Sequence, residues 1–304
     1  MTPLREITTG LRFPEGPIAM ADGSVVLVEI ERGALTRVML DGVVRVIAYT
    51  GGGPNGAAIG PDGKCYVCNN GGFKWHEADG LLRPVLQADD YSGGRIERVD
   101  LDSGAVQVLY RGLDGIPLRG PNDIVFDRYG GFWFTDLGKV RQRDQDRGSV
   151  YYAKADGSLL VEVIQPMVHP NGIGLSPAGD RLYVAESVTG RLWAFEIIGP
   201  GEIRREPWPS PNGGRLLAGL PGYQLFDSLA VEANGNICVA TLAKGAVTVF
   251  SPDGEIVEQP LFPDHYVTNI CFGGPEARTA FVTLSHSGRL VAVDWPRPGL
   301  VLAY

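Results

Sequence analysis

Residues 169–195 read HPNGIGLSPAGDRLYVAESVTGRLWAF, and the fold follows from how this stretch is parsed. A polar residue, Asn171, precedes a short apolar run. A Pro/Gly turn leads into a second, alternating strand (LYVAES), and a polar turn leads into a third (RLWAF). Period-two alternation broken by Gly-bearing turns marks antiparallel strands, and no helical period runs through it.

Working outward, the same pattern returns along the chain. It appears as FPEGPIAMADGSVVLVEI from Phe13, GPNGAAIGPDGKCYVCNN from Gly53 and GPNDIVFDRYGGFWFTD from Gly120. Weaker copies are FDSLAVEANGNICVATL from Phe226 and VTNICFGGPEARTAFVTL from Val267. Each copy has one polar anchor: Glu15, Asn55, Asn122, Asn171, Asp227 and Asn269. Subtraction gives spacings of 40, 67, 49, 56 and 42 residues, against roughly 40 to 50 per propeller blade. Gly-led strands such as GRIERVDL, GRLWAFEI and GRLVAVDW supply the outer parts. The pattern predicts an all-β, six-bladed β-propeller with a central channel, forming one domain over residues 1–304. A β-sandwich or a pair of barrels would not require six in-register copies. Residues 1–10 are expected to pair with the last blade.

The two longest gaps carry insertions, residues 71–94 and 199–214, and both read as loops. The first is rich in aromatic residues, with Phe73, Trp75, His76 and Tyr91. It is the candidate lid, with Trp75 and His76 as substrate contacts, because loops carry specificity on rigid scaffolds.

Composition narrows the partners. With 27 basic and 35 acidic residues the formal charge is −8, which argues against a nucleic-acid partner. No run reaches the roughly 18 apolar residues needed to span a bilayer, and the amino-terminal residues lack the apolar core of a signal peptide. Cys65 and Cys68 form a CxxC inside the alternating strand KCYVCNN. Three residues apart on a strand, they face opposite sides and suit reduced, packed thiols rather than a zinc knuckle. A cytoplasmic location is expected.

In a propeller the inner strands line the channel, so the six anchors converge on one axis. Two carboxylates and four carboxamides make an oxygen-rich set suited to a hard divalent cation. Asn before Gly is also a common turn dipeptide, so Asn55 and Asn269 equally suit a capping role. Glu15 and Asp227 have no such turn role. There is no GxSxG elbow, Ser228 has no sequence-evident base, and the four histidines lack metal-ligand spacing.

FPEGP, GPND, HPNGIGLSP with LYVAES, and DSLAVEANGN together resemble the senescence marker protein (regucalcin), gluconolactonase and luciferin-regenerating enzyme family over essentially the whole chain. The resemblance implies one divalent metal in the channel, with calcium first and zinc, manganese, magnesium or iron(II) as alternatives. It implies hydrolysis of a small lactone. It assigns the metal to Glu15, Asn171 and Asp227, the general base to Asp227, and a substrate or metal contact to Asn122. Asn55 and Asp136 join as further channel candidates. Sugar-lactone members often carry an Arg two residues before the channel Asn. Here that place is Gly120, with Arg119 one residue earlier as the substrate-binding candidate, which counts against an aldonolactone. Two alternatives are a strictosidine-synthase-like or arylesterase-like enzyme, and a non-catalytic calcium-binding or interaction propeller.

Overall fold

The computed structural model describes residues 4–304. Six antiparallel sheets follow one another as blades. Their inner strands are Pro14–Ala19, Pro54–Ile59, Pro121–Phe126, Pro170–Leu175, Leu225–Val231 and Val267–Gly273. Each inner strand lies beside the next, and Val267–Gly273 returns to Pro14–Ala19, so the ring closes. Radial closure leaves each blade only short, protected edges. The last blade is built from both ends of the chain. Arg5–Thr8 pairs antiparallel with Arg289–Asp294 as its outermost strand, as the sequence led us to expect.

The second strand of each blade is buried on both faces, which explains apolar runs such as VVLV at 25–28 in place of strict alternation. Val25 and Leu27 pack toward the last blade while Val26 and Val28 pack toward the second. The core is thus distributed as a separate apolar cluster between each neighbouring pair of blades. Cys65 and Cys68 fall in two different clusters, on opposite faces of blade two, and both are free thiols.

Two insertions hold more structure than a loop reading allowed. Residues 71–94 contain a hairpin, Phe73–Ala78 with Leu81–Gln87. Residues 199–214 contain the short strand Glu202–Arg204, which extends blade four. Both are partly solvated, so exposed polar residues mask their alternation. On the opposite face the carboxy-terminal segment crosses from blade five to blade three. There Leu300 N donates to Val231 O at 2.8 Å, and the Tyr304 ring meets Phe126 at 6.0 Å. A cavity of about 330 Å³ lies beside this segment, lined by Val125, Trp133, Leu175 and Leu302, away from the anchors. Among the described residues no helix is long and apolar enough to cross a membrane.

Candidate active site in the channel

Four inner strands begin with Pro directly before the anchor: Pro14, Pro54, Pro121 and Pro170. Proline lacks the N–H that a ladder needs, so it is tolerated at the first position of a strand. The pairing register slips at or beside the anchor in every blade, between Glu15 and Ile18, Pro54 and Ala57, Pro121 and Ile124, Pro170 and Ile173, Phe226 and Leu229, and Val267 and Asn269. A bulge re-aims side chains out of the normal alternation. Its recurrence at one level sets the anchors apart from the strands below them.

Glycine lets these levels touch. A Cβ on Gly16 would lie 2.6 Å from Asn55 O, one on Gly56 would lie 2.5 Å from Asn122 O, and one on Gly172 would lie 2.6 Å from Asp227 O. In these three blades the residue after the anchor is Gly because the next blade's anchor backbone occupies the space. Thr135 Oγ1 donates to Asn171 O at 2.7 Å, and Asn269 Nδ2 donates to Glu15 Oε2 at 2.7 Å. Residues from all six blades are thereby linked around the axis.

Glu15, Asn55, Asn122, Asn171 and Asn269 are buried, and Asp227 stays partly exposed. Ser228 Oγ donates to Asn171 Oδ1 at 3.5 Å, while Asn171 Nδ2 donates to Ser187 Oγ at 3.1 Å. Asp123, next to Asn122, is a third carboxyl of this group. Its oxygens accept Ile124 N at 2.9 Å and Ile173 N at 3.2 Å. Burial pushes Asp123 up to about 7. Burial first, and then the neighbouring Asp227 and Asp123, hold Glu15 well above the carboxylate range. Asp227 is raised in the same way, by burial and by Asp123, against the hydrogen bonding of Asn171. Desolvated carboxyls that repel one another resist ionisation unless a positive charge joins them.

Two acceptor atoms here are buried with no hydrogen-bond partner, Glu15 Oε1 and Asn122 Oδ1. Unpaired buried acceptors are costly and rare. Oxygen acceptors amid carboxyls that lack a counter-charge fit a hard cation. Among the described residues no three His, Cys, Asp or Glu side chains form a metal cluster by themselves. Any such site therefore needs the carboxamides as ligands.

The remaining sequence candidates are held by other partners or lie exposed. Both oxygens of Asp136 are taken up by backbone N–H groups, from Arg119 and Gly120 at 2.7 Å and Gly138 at 2.9 Å. Asp136 fixes the approach to Asn122 and has little left to offer a ligand. Arg119 and His76 are exposed, and Trp75 packs on Phe13 with ring centroids 5.1 Å apart. His169 is buried in a left-handed conformation (φ 50°), and burial lowers its pKa. Two contributors escaped the sequence reading. Asp123 directly follows Asn122 in GPND, where the family resemblance singles out the Asn alone. Lys139 carries no motif; it is buried, donates to Asn70 Oδ1 and Gly72 O at 2.9 Å each, and lies 4.0 Å from the Phe73 ring centre.

Comparison with known proteins places this geometry. Gluconolactonase of Zymomonas mobilis is 25% identical over an alignment 320 residues long, covering 94% of this chain and 80% of that protein. Diisopropyl-fluorophosphatase of Loligo vulgaris is 27% identical over 215 residues, covering 66% of this chain and 65% of that protein. The crystal structure of a calcium-binding protein, regucalcin, from Agrobacterium tumefaciens superposes with a TM-score of 0.76 at 19% identity, covering 99% and 98% of the two chains, and supports the fold. Residues 13–286 match the family described as the SMP-30/Gluconolactonase/LRE-like region, and the chain belongs to that family.

Proposed function

We propose that this protein is a divalent-metal-dependent lactonase that opens a small cyclic ester at the top of the channel. Its named relatives are hydrolases of the lactonase and esterase type, and that broad class is the chain's own. The observation that carries the metal dependence is the pair of unpartnered acceptors, Glu15 Oε1 and Asn122 Oδ1, among carboxyls that burial keeps from ionising.

Glu15, Asn171 and Asp227 would hold the ion, with Asn122 Oδ1 as a further oxygen at its edge and calcium the first choice. Zinc, manganese, magnesium and iron(II) are alternatives, since an oxygen shell discriminates weakly. Such an ion, when bound, acts as a Lewis acid toward an ester carbonyl. The protein's own residues do the rest. Asp227, partly exposed where the other anchors are buried, takes a proton from the attacking water. Asn171 steadies the Asp227 carboxylate. Asn122 turns its amide toward the substrate oxygen, and Asn269 keeps Glu15 oriented. The expected substrate is a small-molecule lactone, with neither nucleic acid nor membrane as partner.

The test is to strip the protein of metal, reload it with each ion, and follow acid release across a panel of γ- and δ-lactones. Turnover that vanishes on stripping and returns with one ion supports the reading. Equal turnover without metal sinks it. A phosphotriester belongs in the panel, because the Loligo relative is named for such a substrate. Tight calcium binding with no turnover on any ester would favour a calcium-binding propeller, as the Agrobacterium regucalcin is described.

A further inference from the structure

The hairpin Phe73–Ala78 with Leu81–Gln87 follows the second strand of blade two, Cys65–Asn69, whose last residue pairs with Pro54 beside the anchor Asn55. It is tied on three sides. Leu82 N donates to His286 O of blade six at 3.0 Å. Trp75 packs on Phe13 and Glu77 pairs with Arg12 at 3.0 Å, both in the segment entering blade one. Gln87 N donates to Val140 O of blade three at 2.8 Å. These ties fix the position of Arg83, the neighbour of Leu82, which pairs across the hairpin with His76.

Arg83 is partly buried. Among the described residues it joins no ion pair, whereas Arg12, Lys74 and Arg141 around it each face a carboxylate. Its surroundings are the rings of Tyr266 and His286, whose centroids lie 5.0 Å apart, with Phe13 6.0 Å from Tyr266. The nearby carboxylate, Asp264, is already taken. It accepts Tyr266 N at 2.7 Å and Ser287 N at 2.9 Å, and Ser287 Oγ at 2.5 Å. Tyr266 leads into the inner strand of blade six, three residues before Asn269, so the ring beside Arg83 belongs to the segment that carries an anchor. Burial raises the Tyr266 phenol, and the neighbouring Arg83 opposes that rise.

A partly buried guanidinium with no carboxylate partner gains from a ligand that supplies one. Its planar fork matches a carboxylate in bidentate geometry. We propose that Arg83 is a specificity-determining residue that receives a carboxylate on the substrate, so that the preferred cyclic ester is an anionic lactone. The carboxylate end then faces the hairpin and the ring carbonyl faces Asn122. This inference rests on the lactonase reading of the same channel.

The calcium-loaded protein is assayed with 5-oxotetrahydrofuran-2-carboxylate and with its neutral counterpart, 5-(hydroxymethyl)oxolan-2-one, for wild type, Arg83→Gln and Arg83→Lys. Arg83→Gln should lower kcat/KM for the anionic lactone by roughly 10- to 100-fold, mainly through KM, the range expected for a charge-assisted pair. Arg83→Lys should restore part of that loss, and the neutral lactone should change by less than about twofold. Equal losses on both lactones, or no loss on the anionic one, overturns the proposal. Calorimetric binding of tetrahydrofuran-2-carboxylate, which has no ester to cleave, forms the second arm. Weaker binding to Arg83→Gln by a similar factor supports the proposal, and unchanged binding refutes it. If wild type cleaves neither lactone, the lactonase reading falls while the calorimetric arm still decides the role of Arg83.

Discussion

Asn269 Nδ2 donates to Glu15 Oε2 at 2.7 Å, joining the last inner strand to the first across 254 residues of sequence. The contact stabilises the ionised form of a carboxyl that burial pushes the other way. It therefore acts on the ring's closure and on its charge together. Asn269→Ala should cost about 1–3 kcal/mol, the penalty for a buried acceptor losing its donor. It should also weaken divalent-ion affinity, because Glu15 becomes harder to ionise. Thermal unfolding and metal titration by calorimetry read the two effects separately; unchanged affinity would remove Glu15 from the ion's shell.

The metal-free protein should lose stability as pH rises. Asp123 sits near 7 in the fold against about 3.9 in an unfolded chain, so between pH 4 and 7 the folded state binds more protons. Stability is then greatest at or below pH 4–5 as far as this group is concerned, and it declines as pH rises through 7. Glu15 and Asp227 push in the same direction. A saturating divalent ion should abolish or reverse the trend. Melting temperatures from pH 5 to 8, with chelator and with calcium, check this; a flat chelator series contradicts it.

Gly172→Ala should be damaging although the residue lies in an ordinary strand. Its Cβ would meet three backbone atoms of blade five at 2.6–2.8 Å, and none of them can swing away. Overpacking of this kind costs about 1–3 kcal/mol. The displaced backbone carries Asp227, so turnover should fall further than stability alone explains. Gly199→Ala is the control, since its nearest neighbour is the flexible Glu202 side chain at 3.3 Å. Equal behaviour of the two variants in activity assays would refute the contact's importance.

Lys139 should govern the mobility of the hairpin. Burial pushes its amine down to about 7, against Asp136 and Asp146, so raising the pH through that value removes the charge that the Phe73 ring and Gly72 O hold. Amide exchange over residues 73–87, corrected for its intrinsic pH dependence, should quicken between pH 6 and 8. In Lys139→Met it should be fast throughout. A slow hairpin in that variant would leave the latch to Leu82 and Gln87.

The blade pattern was legible because its physics is local. Gly/Pro turns, two-residue alternation and a polar residue after Pro repeat within short windows, and Cys65 and Cys68 diverged as strand periodicity requires. That equivalent positions of a closed ring face one axis follows from the repeat itself, and Asn269 meets Glu15 in this way. What the sequence concealed depends on partners distant in the chain. Asp136 looked like a channel acid, but three backbone N–H groups, two of them 16 and 17 residues away, claim its oxygens. Lys139 reaches 67 and 69 residues back to Gly72 and Asn70. The hairpin at 73–87 hid its alternation because Lys74, His76 and Glu77 face solvent.

The clasp between Arg5–Thr8 and Arg289–Asp294 has a consequence for biosynthesis. The strand Arg5–Thr8 that seals the last blade is synthesised before the rest of the ring, and its partner follows more than 280 residues later. At roughly 5–20 residues per second that interval is on the order of 15–60 s. Throughout it the nascent chain carries an unsealed blade with a bare edge. Ribosome-bound chains stopped before residue 289 should therefore remain open arcs, sensitive to protease and to chaperone capture, until the final strand snaps the circle shut.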